Sequence, residues 1–152
     1  MSADAQVVFT KADPVKRIIA VVIDMLLACV VGVIPFIGGL VGAGYLLIRD
    51  ALPVEALGYK SVGRKVMKLS VVKQGAPGTK IEYIDSIKRN WVFAMGPLGM
   101  AFMIIPLLGW IVAFLLGIAG VVLAAYEIYN MFTDPQGIRL GDKMAGTMVV
   151  ED

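Results

Sequence analysis

The chain has 152 residues, of which 59% are hydrophobic and 17% charged, and its formal net charge is +2. Soluble domains are nearer to about 45–50% apolar and about 25% charged residues. This composition excludes a disordered chain and argues against an ordinary water-soluble enzyme. The chain has no histidine and one cysteine, so a histidine base, a histidine metal ligand and an internal disulfide are all excluded.

The charged residues are absent from two long stretches of the chain. Between Ile18 and Ile48 the only charged residue is Asp24, and between Trp91 and Thr133 the only one is Glu127. Apolar runs longer than about 18 residues are typical of membrane-spanning helices. The sequence therefore predicts an integral membrane protein.

Each apolar run is broken once by an Ile-Pro pair followed by glycine, at 34–39 and at 105–109. Because proline and glycine interrupt helices, we expect an all-α membrane protein with four transmembrane helices in two tandem hairpins. The helices are predicted at about 15–34, 37–52, 90–106 and 109–132. Two long tilted helices with re-entrant segments are the alternative architecture.

The hairpins divide the chain into four predicted parts. These are a cytoplasmic N-terminal segment, a first hairpin with a Gly-x-Lys/Val-Val element, a cytoplasmic linker with an interfacial helix, and a second hairpin with a cytoplasmic tail, at 1–14, 15–72, 73–89 and 90–152. Every Lys and Arg lies outside the two hairpin tips. Because cationic loops stay in the cytoplasm, both termini and the middle segment are expected there.

The two halves resemble each other. Lys16-Arg17 before the first hairpin corresponds to Lys88-Arg89 before the second. The segment 62–72 parallels 140–150, with the same glycine, lysine and two valines in register. The pattern indicates a parallel internal repeat about an axis along the membrane normal. Each Val-Val element is predicted to be a short extended segment.

Asp24 and Glu127 are the residues that most need an explanation. A carboxylate inside a span is costly unless it is paired, hydrated or protonated. Asp24 could pair with Arg17, which lies two helical turns earlier, and Glu127 with Arg139, Lys143 or a tyrosine hydroxyl. Binding of a proton or small cation, or docking of a partner, are the other interpretations. The two acids lie at similar depth and are candidates for one shared site.

Small residues at helical spacing predict close helix packing. They lie on the Asp24 face of the first helix and on the second and fourth helices, at Ala20, Ala28, Gly32, Gly38, Gly42, Gly117 and Gly120.

The middle segment carries a basic cluster, Lys60, Arg64, Lys65 and Lys68. Such clusters beside a membrane bind anionic lipid headgroups or anchor the topology. Because the basic residues are juxtamembrane, nucleic-acid binding is not expected. Arg49-Asp50 is interpreted as a solvated pair at the membrane edge.

Three of these residues resemble the signature of the RDD family. They are Arg17 at the head of the first span, Asp24 within it and Asp50 after the second. Segments 61–72 and 140–150, and Arg89-Asn90, are also similar to that family. The resemblance implies a multi-pass protein of the bacterial or archaeal cytoplasmic (inner) membrane. It further implies cation/proton exchange, as proposed for some members, or an accessory role, and it makes Arg17, Asp24 and Asp50 the candidate functional set.

The most concrete functional hypothesis is exchange of Na⁺, K⁺ or Li⁺ for H⁺ at Asp24, with Arg17 setting its charge state. Asp50 would act at the cytoplasmic mouth, and Glu127 is added as a second acid from the residues alone. The alternative is a non-catalytic scaffold or accessory subunit that binds partner helices or anionic lipid. No nucleophile–base pair is visible, so no enzyme activity, catalytic residue, metal or cofactor is predicted. Four short helices are few for a solitary antiporter, so a homo-oligomer or a partner membrane protein is expected.

Overall fold

The computed structural model describes residues 11–35, 37–76 and 78–152, and most of these residues are helical. Ten residues of the predicted N-terminal segment, 1–10, lie outside the described part of the chain. The helices are α1 (Pro14–Gly32), α2 (Gly38–Ile48), α3 (Val62–Val66), α4 (Tyr83–Phe102), α5 (Leu108–Thr133) and α6 (Leu140–Ala145). The strands are β1 (Leu69–Lys73) and β2 (Thr147–Glu151), and a 3₁₀ turn covers Glu55–Leu57.

Helices α1 and α2 pack against each other. The Asp13 side chain caps α1 by accepting a hydrogen bond of 2.7 Å from the Val15 amide, and proline is favourable at the first helical position that follows. The turn into α2 needs glycine at position 38, because a Cβ there would lie 2.4 Å from the carbonyl oxygen of Val31. Helix α2 ends earlier than the predicted residue 52.

Helix α4 begins at Tyr83, well before the predicted residue 90. Glu82 and Asp85 form a reciprocal capping box, in which the Glu82 amide donates to the Asp85 carboxylate at 3.0 Å. Such a box satisfies the free amides of the first turn and fixes the helix start. The predicted interfacial helix is therefore the first part of α4, and the separate linker is shorter than 73–89. Helix α5 agrees closely with the predicted 109–132.

One helix among the described residues, α5, is long and apolar enough to cross a membrane by length and composition. Helix α2 is apolar but shorter, and α1 and α4 carry charged residues near their N-terminal ends. All four helices nonetheless present large apolar side chains to the outside, such as Val30, Leu40, Met100 and Val121. Four transmembrane spans remain a prediction.

The short elements α3, β1, α6 and β2 form a small cap over the ends of the long helices. Strands β1 and β2 are antiparallel, and Val71 lies opposite Val149. Helix α3 packs on α1 and α6 on α4. The pairing thus joins the two segments that the sequence identifies as related, at equivalent valines. The internal duplication itself stays a prediction.

Candidate functional site: a buried arginine–carboxylate cluster

Nine charged side chains are buried where the cap meets the long helices. They are connected by ion pairs, and every long helix or the residues directly after it contribute at least one member. We call this set the arginine–carboxylate cluster; it consists of Arg17, Arg49, Arg64, Arg89, Arg139, Asp24, Asp50, Glu127 and Asp142.

Asp24 is 1% exposed and has three partners. Its Oδ2 lies 3.3 Å from Arg49 Nη1, and its Oδ1 accepts hydrogen bonds from the Tyr45 hydroxyl at 2.8 Å and the Gly63 amide at 2.9 Å. The predicted pair with Arg17 is therefore wrong. Arg17 reaches towards the cap instead, because α6 supplies an acid there. Its Nη2 lies 2.7 Å from Asp142 Oδ2, and it also donates to the Gly137 carbonyl oxygen.

Arg49 and Asp50 are not the solvated pair that the sequence predicts, since they are 0% and 4% exposed. The cap and the start of α4 cover them. Asp50 binds Arg64 and, at 2.9 Å from its Oδ2, Arg89 Nε. The same oxygen accepts a 2.9 Å hydrogen bond from Nδ2 of the Asn90 side chain. Arg49 Nη2 in turn donates to Asn90 Oδ1 at 2.8 Å, so Asn90 connects the two residues.

Glu127 is held like Asp24 but by the second half of the chain. It accepts a 2.9 Å hydrogen bond from the Gly141 amide, and its Oε2 lies 3.5 Å from Arg139 Nε. Of the partners considered for Glu127, Arg139 is the one in contact, because Lys143 pairs with Asp134 at 3.7 Å.

Among the residues that the structure describes, Asp24 and Glu127 have different hydrogen-bond and ion-pair partners. Their arginines, Arg49 and Arg139, both lie over the ring of Phe93, at 5.2 and 5.4 Å from the ring centroid. An aromatic face attracts cations, so Phe93 stabilises both guanidinium groups between the two ion pairs. Phe93 is thus a contact that the two ion pairs have in common.

Asp142 is the centre of the cap side of the cluster. Its oxygens lie 2.7 Å from Arg17 Nη2, 2.9 Å from Arg89 Nη2 and 3.3 Å from Arg139 Nη2. Burial alone would raise the pKa of Asp142, but Arg139, Arg89 and Arg17 together hold that pKa well below its usual range. Asp142 therefore stays ionised. Sequence reasoning did not select it, although Asp142 occupies the variable position of the second Gly-x-Lys element.

The cluster contains five arginines and four carboxylates, which leaves one formal positive charge in excess. Every carboxylate is within 3.5 Å of at least one arginine. A metal cation entering this site would compete with the guanidinium groups for carboxylate oxygens that are already paired. Among the described residues, no group of three or more acids or cysteines could hold a metal ion.

The predicted headgroup residues divide into two kinds. Arg64 is 5% exposed and paired with Asp50, so the headgroup interpretation is wrong for this residue. Lys65 and Lys68 are exposed. Lys60 is half-buried, and its Nζ lies 2.6 Å from Asp152.

The small residues predicted to pack also divide. Ala20 and Ala28 are buried, and a Cβ at Gly42 would lie 2.9 Å from the Ala28 carbonyl oxygen, so α1 and α2 approach closely there. A Cβ at Gly32 would lie no nearer than 3.7 Å to another residue, and one at Gly120 no nearer than 3.4 Å, which is ordinary contact. A Cβ at Gly117 would meet nothing within 4 Å, and the packing prediction is wrong there.

Several close glycine contacts are not predicted from the sequence, and Gly39 makes one of them. A Cβ at Gly39 would lie 2.7 Å from the Pro97 carbonyl oxygen, which marks a close approach of α2 to α4. The adjacent Gly38 is predicted to pack closely because a regular spacing of small residues begins there. The helix that Gly39 contacts cannot be predicted from spacing alone.

Comparison with known proteins identifies a protein family. The model of the RDD family matches residues 36–146, a range that includes Asp50, Arg64, Arg89, Glu127, Arg139 and Asp142. No curated protein and no solved structure matches the chain. The family match confirms the resemblance drawn from the motifs.

Proposed function

We propose, from the premise that the chain belongs to the RDD family of membrane proteins, that it is a non-catalytic accessory protein of the membrane. In this role the long helices lie in the bilayer and the cap rests against anionic lipid headgroups on one side. The arginine–carboxylate cluster fastens the cap to the helices.

The observation that carries the proposal is the pairing of every candidate acid with arginine. Asp24, Asp50 and Glu127 each contact at least one guanidinium group, and Asp24 and Glu127 also accept backbone hydrogen bonds from the cap. Removing one partner of a buried ion pair costs about 3–5 kcal/mol. A carboxylate held in this way is a structural tie rather than a carrier that releases and rebinds ions.

The outer surface of the helices supports the proposed four spans. Large apolar side chains are exposed on α1, α2, α4 and α5, while the charged side chains of these helices gather at the cap end. Exposure of such an apolar surface to water would be unfavourable, whereas contact with lipid would not. We further propose that the cap and both termini lie in the cytoplasm, since the basic residues are all on the cap side of the hairpins.

The exposed lysines of the cap give the proposed contact with lipid. Lys65 and Lys68 lie at the end of α3 and just after it, and α3 packs on α1. The neighbouring Val66 is 61% exposed, so this edge combines an apolar side chain with two cations. Anionic headgroups attract each such lysine with about 1 kcal/mol.

The test is the composition of the lipid that the protein retains. The full chain is reconstituted in equal amounts of phosphatidylglycerol and phosphatidylcholine, extracted with its surrounding lipid and compared with K65Q/K68Q and the charge-preserving K65R/K68R. We expect enrichment of phosphatidylglycerol that falls by up to about fivefold per lysine in the glutamine variant and persists in the arginine variant. Equal retention of both lipids by the wild-type protein would overturn the lipid-binding role.

Cation/proton exchange is the second candidate, and one observation favours it. Oε2 of Glu127 is buried and accepts no hydrogen bond within the described residues, so it has an acceptor position for a proton donor. Asp24 and Glu127 also lie among mostly apolar residues of α1 and α5, respectively. The two candidate roles differ in whether the pure protein moves protons across a liposome membrane when cations are added.

A further inference from the structure

A cavity of about 460 Å³ opens beside the arginine–carboxylate cluster. It lies between the chain that follows α2, strand β1 and the segment that leads into α4. Sites for small molecules typically have volumes of about 300–1,000 Å³. The cavity is large enough for a small ligand or for the headgroup of a lipid.

The lining of the cavity is mostly apolar, but it includes three cations and two hydroxyl groups. The cations are Lys60, Arg64 and Lys80, and the hydroxyl groups belong to Ser70 and Thr79. Lys60 and Ser70 both contact Asp152, with 2.6 Å between Lys60 Nζ and Asp152 Oδ2, so a bound anion would replace that carboxylate. Lys80 Nζ lies 4.7 Å from the centre of the Tyr59 ring, which holds the ammonium group at the wall.

Two carboxylates also line the cavity, Asp50 and Glu82. Asp50 is already bound by Arg64 and Arg89. Glu82 is at the start of α4, where it accepts from the backbone of the first turn as part of the capping box. Lys80 has no carboxylate within ion-pair distance among the described residues, so the lining keeps a cation for a ligand to neutralise.

Arg64 is the buried floor of the cavity. Its guanidinium is 5% exposed and has one ion-pair partner, Asp50, although a guanidinium group has five N–H donors. Burial, together with the nearby Arg89 and Arg49, lowers the pKa of Arg64 to about 9 against the attraction of Asp50. A bound anion would oppose these effects. It would also balance the one positive charge that the cluster has in excess.

We infer that this cavity binds the phosphate group of a phosphomonoester or phosphodiester, with Lys60, Lys80 and Arg64 as its cationic partners. The phosphate could come from an anionic phospholipid or from a soluble phosphorylated compound. The exposed Tyr83 and Ile84 at the start of α4 would lie beside the acyl chains in the first case. The inference rests on the proposed function only for the lipid source; phosphate binding itself does not require an accessory role.

The experiment measures saturable stabilisation of the full chain in detergent and phosphate-free buffer. A ligand that binds only the folded protein raises its unfolding temperature. The probes are inorganic phosphate, glycerol 3-phosphate and short-chain phosphatidylglycerol, with sodium chloride at equal ionic strength as the reference. The cavity variant is K60Q/K80Q, and the matched control, which also removes two lysines, is K88Q/K143Q; both control positions are exposed and outside the lining.

We expect at least one phosphate probe to stabilise the wild-type protein and the control variant alike. Two lysines near a phosphate contribute about 30-fold in affinity, so the cavity variant is expected to bind about 30-fold more weakly. Stabilisation by phosphatidylglycerol alone identifies a lipid headgroup as the source, and stabilisation by the soluble probes identifies a soluble ligand.

Two results would overturn the inference. One is the absence of saturable stabilisation by any phosphate probe. The other is an equal loss of binding in K88Q/K143Q, which would mean diffuse surface attraction rather than a site. Lipid enrichment that depends on Lys65 and Lys68, without saturable phosphate binding, would leave the proposed function standing and remove the cavity site alone.

Discussion

Asp24 shows what a single residue in a sequence can and cannot predict. A carboxylate in an apolar run must find a partner, and that need is visible without a structure. Arg17 is the nearest candidate because it lies on the same helix, two turns away. The partner in the structure is Arg49, which comes after the next helix. Periodicity reports which residues share a face of one helix, but it does not report which helix end folds back on that face.

The pairing of Asp24 with Arg49 predicts a large coupling between these residues. Removing one partner leaves a buried charge, so Asp24→Asn and Arg49→Gln are each expected to lower the free energy of unfolding by about 3–5 kcal/mol. The double variant is expected to lose at least about 1 kcal/mol less than the sum. Unfolding in mixed detergent micelles measures all four proteins.

The exposed pair Lys16–Glu151, with 2.6 Å between Nζ and Oε2, is the matched control for this cycle. Exposed pairs contribute about 0–1 kcal/mol, so K16Q and E151Q are expected to have small effects. Additive effects of Asp24→Asn and Arg49→Gln would contradict the assigned pair.

At the scale of elements, the hairpin breaks and the α5 bounds follow from the sequence because proline, glycine and apolar length act locally. The sequence predicts a start for α4 that is too late, because the change from polar to apolar residues near position 90 lies inside the helix and not at its first residue. The capping box at Glu82 and Asp85 marks it instead. The contacts of α3 and α6 with the long helices were not predictable, since they depend on two glycines meeting distant backbone.

Those two glycines give a prediction for the cap. A Cβ at Gly63 would lie 2.0 Å from the Ala20 carbonyl oxygen, and one at Gly141 would lie 2.3 Å from the Arg89 carbonyl oxygen. Because the obstacle is backbone, Gly63→Ala and Gly141→Ala are each expected to cost about 1–3 kcal/mol of stability.

Thermal unfolding in detergent measures the two substitutions against Gly117→Ala. A Cβ at Gly117 meets nothing within 4 Å, and alanine favours a helix interior by up to about 1 kcal/mol. This control is expected to unfold at the wild-type temperature or above it. A wild-type unfolding temperature for Gly63→Ala would show that α3 does not lie against α1 as described.

At the scale of the whole molecule, the cluster joins the helices to the cap and both halves of the chain to each other. The family, the membrane character and the helical class follow from composition, charge segregation and short motifs. The convergence of five arginines on four carboxylates could not be predicted, because these residues are spread along the chain and each has several sterically possible partners. This charge balance is the reason for proposing an accessory role, since the excess charge of the cluster is positive and a cation would be repelled by it.

The most direct test of this account is proton flux in proteoliposomes that contain only this protein. Na⁺, K⁺ or Li⁺ is added outside, the internal pH is followed, and folded Asp24→Asn is measured in parallel. Because Asp24, Asp50 and Glu127 are tied to arginines, we expect no cation-dependent proton flux from either protein. Flux in the wild-type protein that is lost in folded Asp24→Asn would contradict the account and make Asp24 an ion-coupling residue.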